Sequence, residues 1–424
     1  MSYRKSLVTA LLAPIIALGA GAVATVHAAG YAVFTHGASA LGQGNAVTAH
    51  SSDPSTIFYN PALINKLEGT QFQIGTTAIF SSREFESSQA GGTSASNDSV
   101  FFPSTFYATH KFNDQVSAGL GIFSPFGLGT EWDENWDGRY LATESKLKTF
   151  NINPVVSYRI TPSLAVAAGV DVVLLDATLE KKVQSATLAL LGLPFPGGID
   201  VGQKFEGDGT GVGFNLGVAY DVCDHLSLGA SYRSEVKVDV SGDATFSSAV
   251  LPVTALNSGG KTDITLPPQF TAGAAFKGID KLTLEAGLRW EGWSKFKELA
   301  INLDNGSSSV TPRSWKDSWG LNLGGKYQVN DTAALLAGYV FGTSAVPDST
   351  FDPSIPDAKT HVFCVGTDLD FHPFTVAASY GYQLYENRTK SNNIDTFPPT
   401  ATSSANGKYE SDAHLVALSM GYKF

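Results

Sequence analysis

The chain has 424 residues, of which only 16% are charged, against about 25% in an average soluble domain. Its mean hydropathy is nevertheless only +0.01, so apolar and polar residues must alternate on a scale shorter than a helix turn, as in strands with small residues on one face. Acidic residues outnumber basic ones, 39 to 28, for a net charge of −11, which excludes a nucleic-acid partner held through its phosphates.

Arg4 and Lys5 open the chain, an apolar run follows from Leu7 to Val26, and Val26-His27-Ala28 offers a cleavage site before Ala29. Residues 1–28 therefore read as a signal peptide. The rival is a retained anchor, since about 20 apolar residues can span a bilayer. Pro14 and the Gly19–Gly21 cluster weaken that helix. After Val26 no apolar run approaches the roughly 18 residues of a spanning helix, which excludes a helical membrane protein.

Residues 29–69 do not alternate. They run through Ala29-Gly30-Tyr31 and a small-residue stretch from Gly37 to Ala46 to Tyr59-Asn60-Pro61-Ala62-Leu63-Ile64. Phe34, Leu41, Ile57, Phe58, Leu63 and Ile64 are too many apolar residues for a disordered tail.

From residue 70 the period is two. Leu282, Leu284, Ala286, Leu288 and Trp290 share one face; Thr283, Glu285, Gly287, Arg289 and Glu291 share the other. Strands are expected at 70–84, 98–111, 114–124, 146–159, 163–182, 206–221, 225–240, 262–278, 281–296, 314–329, 332–343, 359–371, 374–389 and 407–424. Most are far longer than the soluble mode of about 5–6 residues. Short turns, such as Phe112-Asn113-Asp114 and His372-Pro373, alternate with long polar connections near 85–97, 125–145, 183–205, 241–261, 297–313, 344–358 and 390–406. Fourteen strands with that rhythm predict an all-β fold: an antiparallel transmembrane β-barrel over residues 70–424, with both chain ends at the short-turn side. Such a lumen is wide enough to hold residues 29–69 as a plug.

Val416, Leu418, Met420, Tyr422 and Phe424 alternate to the last residue. Bacterial outer-membrane proteins commonly end this way, and a strand closing on Phe424 is expected to meet the barrel assembly machinery. Cys223 and Cys364 are too few for a disulfide scaffold and read as unpaired thiols.

The Asn60-Pro61-Ala62 triplet after a glycine-rich start resembles the hatch of the FadL/TodX family of outer-membrane transporters, which carry long-chain fatty acids or aromatic hydrocarbons. The resemblance covers the whole chain after the signal segment. It includes Pro125-Phe126-Gly127-Leu128, Tyr232-Arg233-Ser234-Glu235-Val236-Lys237, Trp293-Ser294-Lys295-Phe296, Lys316-Asp317, Val346-Pro347 and Ile355-Pro356-Asp357. It implies a fourteen-stranded barrel with an N-terminal hatch, agreeing with the strand count. It also implies capture of a hydrophobic small molecule at the third and fourth long loops. An internal site beside the hatch would follow, then sideways exit through a kinked third strand into outer-membrane lipid.

Those loops carry Leu188, Leu191 and Phe195, and Phe246 and Leu251, apolar residues that would make a capture groove or pack on one another as a cap. Lys181 and Lys316 match the family's carboxylate-binding basic residues, where a cation would orient a fatty acid. Lys181 replaces an arginine of the family, and the alternative is a lumen ion pair, such as Lys316 with Asp317, or a solvated strand end. Gly119, Gly121 and Pro125 would weaken the third strand. Pro61 restricts Asn60 to extended geometry and makes the hatch triplet a rigid corner.

An outer-membrane enzyme is the first rival. The His residues lie in no GxSxG, HExxH or EF-hand context, so no catalytic residue, metal ligand or cofactor is expected. A general porin is the second, but it would constrict its lumen with a charged loop. Within the family, fatty acid and monoaromatic hydrocarbon stay open, with the two lysines favouring an acid.

Overall fold

The computed structural model describes residues 30–51, 53–190, 198–395 and 403–424. The expected signal segment, residues 1–28, and the loop residues Leu191 and Phe195 lie outside the described residues.

From residue 70 onward the chain is almost entirely strand. β1 is Thr70–Ser87. The second barrel strand comes in two pieces, β2 (Ser94–Phe101) and β3 (Ser104–Lys111), as does the third, β4 (Val116–Phe123) and β5 (Gly127–Glu131). β6 (Glu144–Thr161), β7 (Leu164–Gln184) and β8 (Asp200–Cys223) are unbroken. The next four are again divided: β9 (Leu226–Arg233) and β10 (Val236–Ser247), β11 (Ser258–Leu266) and β12 (Gln269–Ile279), β13 (Leu282–Glu291) and β14 (Glu298–Leu303), β15 (Ser308–Pro312) and β16 (Ser318–Gln328). β17 (Ala333–Gly342), β18 (Thr360–Phe371) and β19 (Phe374–Tyr385) follow, and a short β20 (Arg388–Lys390) lies beside the last strand, β21 (Gly407–Lys423).

Neighbours pair antiparallel throughout, and β1 pairs with β21 from Gln71↔Lys423 to Ser87↔Gly407, so the sheet closes on itself. With the divided strands rejoined the barrel has fourteen, as the sequence predicts. The stretch 297–313, read from sequence as a loop, holds the β14–β15 hairpin, registered from Glu298↔Pro312 to Asn302↔Ser308. Leu299 and Ile301 alternate there and are buried, a strand pattern too short to stand out. Closure leaves no ladder edge along β1 and β21, the condition a sheet must meet in hydrocarbon.

The two faces separate as the alternation requires. On β6, Leu147, Thr149, Asn151, Asn153, Val155 and Ser157 are buried, while Phe150, Ile152, Val156 and Tyr158 point outward and are exposed. The outward band continues with Ile74, Leu288, Leu335, Val365 and Leu418, a girdle too apolar for a water-facing sheet. No helix among the described residues is long and apolar enough to cross a membrane.

Residues 30–51 and 53–69 lie against the inward faces. α1 (Ala38–Gly42), α2 (Thr56–Tyr59) and a 3-10 turn over Pro61–Lys66 are short, and nearly all of their residues are buried. The Ala38 N–H donates to Ser419 Oγ at 3.0 Å, and the Asn322 amide donates to the Gly44 carbonyl at 2.6 Å. A Cβ on Gly338 would stand 2.1 Å from the Gly44 nitrogen, so the absent side chain is what lets the two backbones meet. The small residues of the inward face therefore make the lumen fit its contents.

Candidate functional site

The third barrel strand stops at Phe123 and resumes at Gly127, and Pro125 between them has no N–H for a ladder. β3 and β4 pair from Lys111↔Ser117 to Phe106↔Ile122. Beyond that level, among the described residues, β2 pairs with β1 and β5 with β6, and no ladder joins β2 to β5. The N-terminal segment fills part of the break. Val33 N–H donates to Pro125 O at 2.9 Å, Gly127 N–H donates to Tyr31 O at 2.9 Å, and Ala32 bridges Phe126. Arg83 donates its Nη1 to the Gly129 carbonyl at 3.1 Å, replacing one missing ladder partner.

Of the three residues expected at the kink, Pro125 lies in this break. Gly119 and Gly121 do not: both lie inside β4, paired with β3 and with β6. A Cβ at either position would touch Ile57 of α2, so these glycines make room for the lumen segment.

Behind the break is a cavity of about 370 Å³. Leu41, Val340, Val362 and Leu415 line its inner side, and Phe102 and Phe150, both exposed on the outer face, line its other end. The cavity thus runs from lumen to outer surface. Its lining also carries charge, from Arg83, Lys146, Lys148, Arg289 and Asp357. The Arg289 guanidinium sits 3.5 Å from the centre of the Phe34 ring, a cation–π contact that partly replaces lost hydration. Asp357 is buried and accepts from Ser344 Oγ and the Ala345 N–H, both at 2.8 Å. Burial pushes its carboxyl up to about 7, against the pull of those donors, of Arg388 and of the Gly30 N–H.

A second cavity, about 290 Å³, lies toward the long connections, among Lys181, Phe205, Leu299, Ile301, Arg313 and Asp352. Arg313 is ion-paired with Asp352 and donates to Ser354 Oγ at 3.2 Å. An aromatic cluster adjoins both spaces. Tyr31 stands 4.6 Å from Trp293, 5.9 Å from Trp315 and 6.1 Å from Phe126, ring centre to ring centre, while Arg313 lies over Phe296. Lys181 therefore faces a cavity with a second cation. Lys316 does not share it: its side chain is exposed, its N–H goes to the Ala345 carbonyl, and Asp317 accepts from the Ser294 N–H. The turn between β15 and β16 buries Arg313 and Trp315 instead.

Asn60, Pro61 and Ala62 are buried against β8 and β6. Asn60 is extended, with φ −159° and ψ 99°, and its Oδ1 accepts from the Ala62 N–H. Its amide donates to the carbonyls of Thr48 and Val218, at 2.8 and 2.9 Å. Glu285, which sequence reasoning passed over, is a second anchor. It accepts the N–H groups of Thr48, Ala49 and His50, and His50 Nδ1 lies 2.6 Å away. At the loops, Leu188, Phe246 and Leu251 meet in one cluster with Val201 and Val253, so these apolar residues pack on one another. Arg83, Arg289 and Arg313 were also missed. For Glu285 and Arg289 the signal was present, since both fall on the inward parity of the β13 alternation.

A family model described as outer membrane protein transport protein (OMPP1/FadL/TodX) matches residues 19–424. The long-chain fatty acid transport protein of Escherichia coli O157:H7 is 25% identical, covering 76% of this chain and 80% of its own. Among solved structures, a Pseudomonas aeruginosa FadL homologue has a TM-score of 0.83 at 20% identity, covering 93% of this chain and all of its own. The P. putida toluene transporter TodX has a TM-score of 0.73 at 19% identity, covering 92% and 98%.

Proposed function

The chain belongs to the outer-membrane transport protein family OMPP1/FadL/TodX, and within that family's work, the transport of hydrophobic compounds across the outer membrane, we propose that its cargo is a long-chain fatty acid. Residues 29–69 act as a hatch inside the barrel of residues 70–424, after removal of 1–28. Substrate is gathered at two loops, one carrying Leu188, Leu191 and Phe195 and the other Phe246 and Leu251. Its carboxylate is oriented by Lys181 beside Arg313. It then passes the Tyr31 aromatic cluster into the inner cavity and leaves sideways between β2 and β5.

One observation carries this reading: a largely apolar cavity whose lining crosses the wall where the ladder is missing. An alkyl chain can lie there against apolar side chains from Leu41 to Phe102. The strand that closes the barrel at Phe424 is proposed as the element met by the assembly machinery.

Titration of the detergent-solubilised protein with oleate and with toluene tests the cargo. Oleate is expected to bind at least tenfold tighter, to weaken severalfold in Lys181→Ala, and to change less than twofold in Lys316→Ala. Equal binding of the two ligands, indifferent to Lys181, would replace the fatty acid by a monoaromatic hydrocarbon.

A further inference from the structure

We propose that Lys148 is an exit subsite for the anionic headgroup of a departing amphiphile, a reading that rests on sideways release through the wall. On β6 the outward residues Tyr158, Val156, Ile152 and Phe150 form an apolar run, and Lys148 is the next outward residue, the first charge beyond it. That position marks the level where hydrocarbon gives way to headgroups. Lys148 also lines the wall-crossing cavity, together with the exposed rings of Phe102 and Phe150.

The other cations of this cavity are engaged. Lys146 pairs with Glu144, Arg83 donates to Gly129, and Arg289 sits on Phe34. Among the described residues Lys148 makes no ion pair or side-chain hydrogen bond within contact distance, although Asp176 is its cross-strand neighbour. A mouth with two aromatic rings below and one uncommitted ammonium at the interface suits a long chain ending in a carboxylate. The tail slides along Phe102 and Phe150 into the bilayer while the headgroup stays at Lys148, so charge never enters hydrocarbon.

The test follows delivery of oleate and of oleyl alcohol, the neutral analogue with the same tail, into proteoliposomes carrying wild-type protein, Lys148→Gln or Lys148→Glu. Vesicles are made of phosphatidylcholine with and without phosphatidylglycerol. Oleate delivery should fall on the order of fivefold in Lys148→Glu and less in Lys148→Gln. Oleyl alcohol should be unaffected in both, and oleate affinity in detergent should stay within twofold. Equal slowing of the two lipids would mean that Lys148 only shapes the gap, and no slowing would remove the subsite. An effect confined to phosphatidylglycerol vesicles would assign Lys148 to a resident lipid phosphate. Wild-type delivery no faster than in protein-free vesicles would overturn sideways release itself, an outcome distinct from the other three.

Discussion

Thr48 and Glu285, 237 positions apart, meet through a 2.6 Å hydrogen bond from the Thr48 N–H to Glu285 Oε1. The same carboxylate takes the N–H groups of the next two residues. One side chain on the barrel wall thus satisfies three consecutive backbone donors of the lumen segment, and a buried donor left without a partner costs roughly 1–3 kcal/mol.

Glu285→Ala should therefore loosen this segment far more than the loss of one side-chain contact would suggest, by about 3 kcal/mol. Glu285→Gln, which keeps one acceptor oxygen, should lie between. In planar bilayers the alanine variant is expected to show brief ion-conducting openings at least tenfold more often than wild type. Equal opening frequencies would show that the segment is held elsewhere.

Asp357 makes docking of the chain around Gly30 depend on pH. Its buried carboxyl titrates near 7, and an undocked, solvated carboxyl near the ordinary 3.8. Between those values the docked state keeps a proton that the undocked state has released. Docking is therefore strongest below about pH 4, weakens as pH rises to 7, and is level above. A spin label on Val33→Cys, in a background where the exposed Cys223 is replaced by serine, should show its mobile fraction growing from pH 5 to pH 8. Asp357→Asn, which has no proton to lose, should flatten the curve; an unchanged curve in that variant would assign the titration to another group.

Gly217 faces the corner at Asn60. A Cβ there would stand 2.5 Å from Asn60 Oδ1 and 2.9 Å from the Ala62 nitrogen. Gly217→Val should cost about 1–3 kcal/mol of overpacking and lower the urea midpoint of the tertiary transition, with the strand signal retained. A midpoint equal to wild type would show that the corner can shift at no cost.

The barrel was legible because its code is local. Alternation at period two, strands of membrane length and turn residues between them lie within a dozen positions of one another, and no distant partner is needed to see them. The break in the third strand was half legible: Pro125 announced it, but Gly119 and Gly121 look the same in sequence whether they loosen a wall or admit Ile57. The site was less legible still. Lys316 matched a motif, yet the turn between β15 and β16 buries Arg313 and exposes Lys316, and nothing in one strand says which way its end will roll. Arg83 could not be chosen at all, because its partner Gly129 lies 46 residues away and matters only where a ladder is missing.

The divided strands share a pattern. Between the short turns and the breaks, β3, β4 and β9 are 8 residues long, β13 is 10, and β12 and β16 are 11. Beyond them β10 pairs with β11 and β14 with β15, while β2 pairs with the unbroken β1 and β5 with the unbroken β6. The result is a collar at membrane height whose outer pieces stay tied to it through the β10–β8, β2–β1 and β5–β6 ladders. The ladder that closes the barrel, β1 with β21, includes none of the β10–β11 and β14–β15 residues, so a change confined to those hairpins leaves the closure itself untouched.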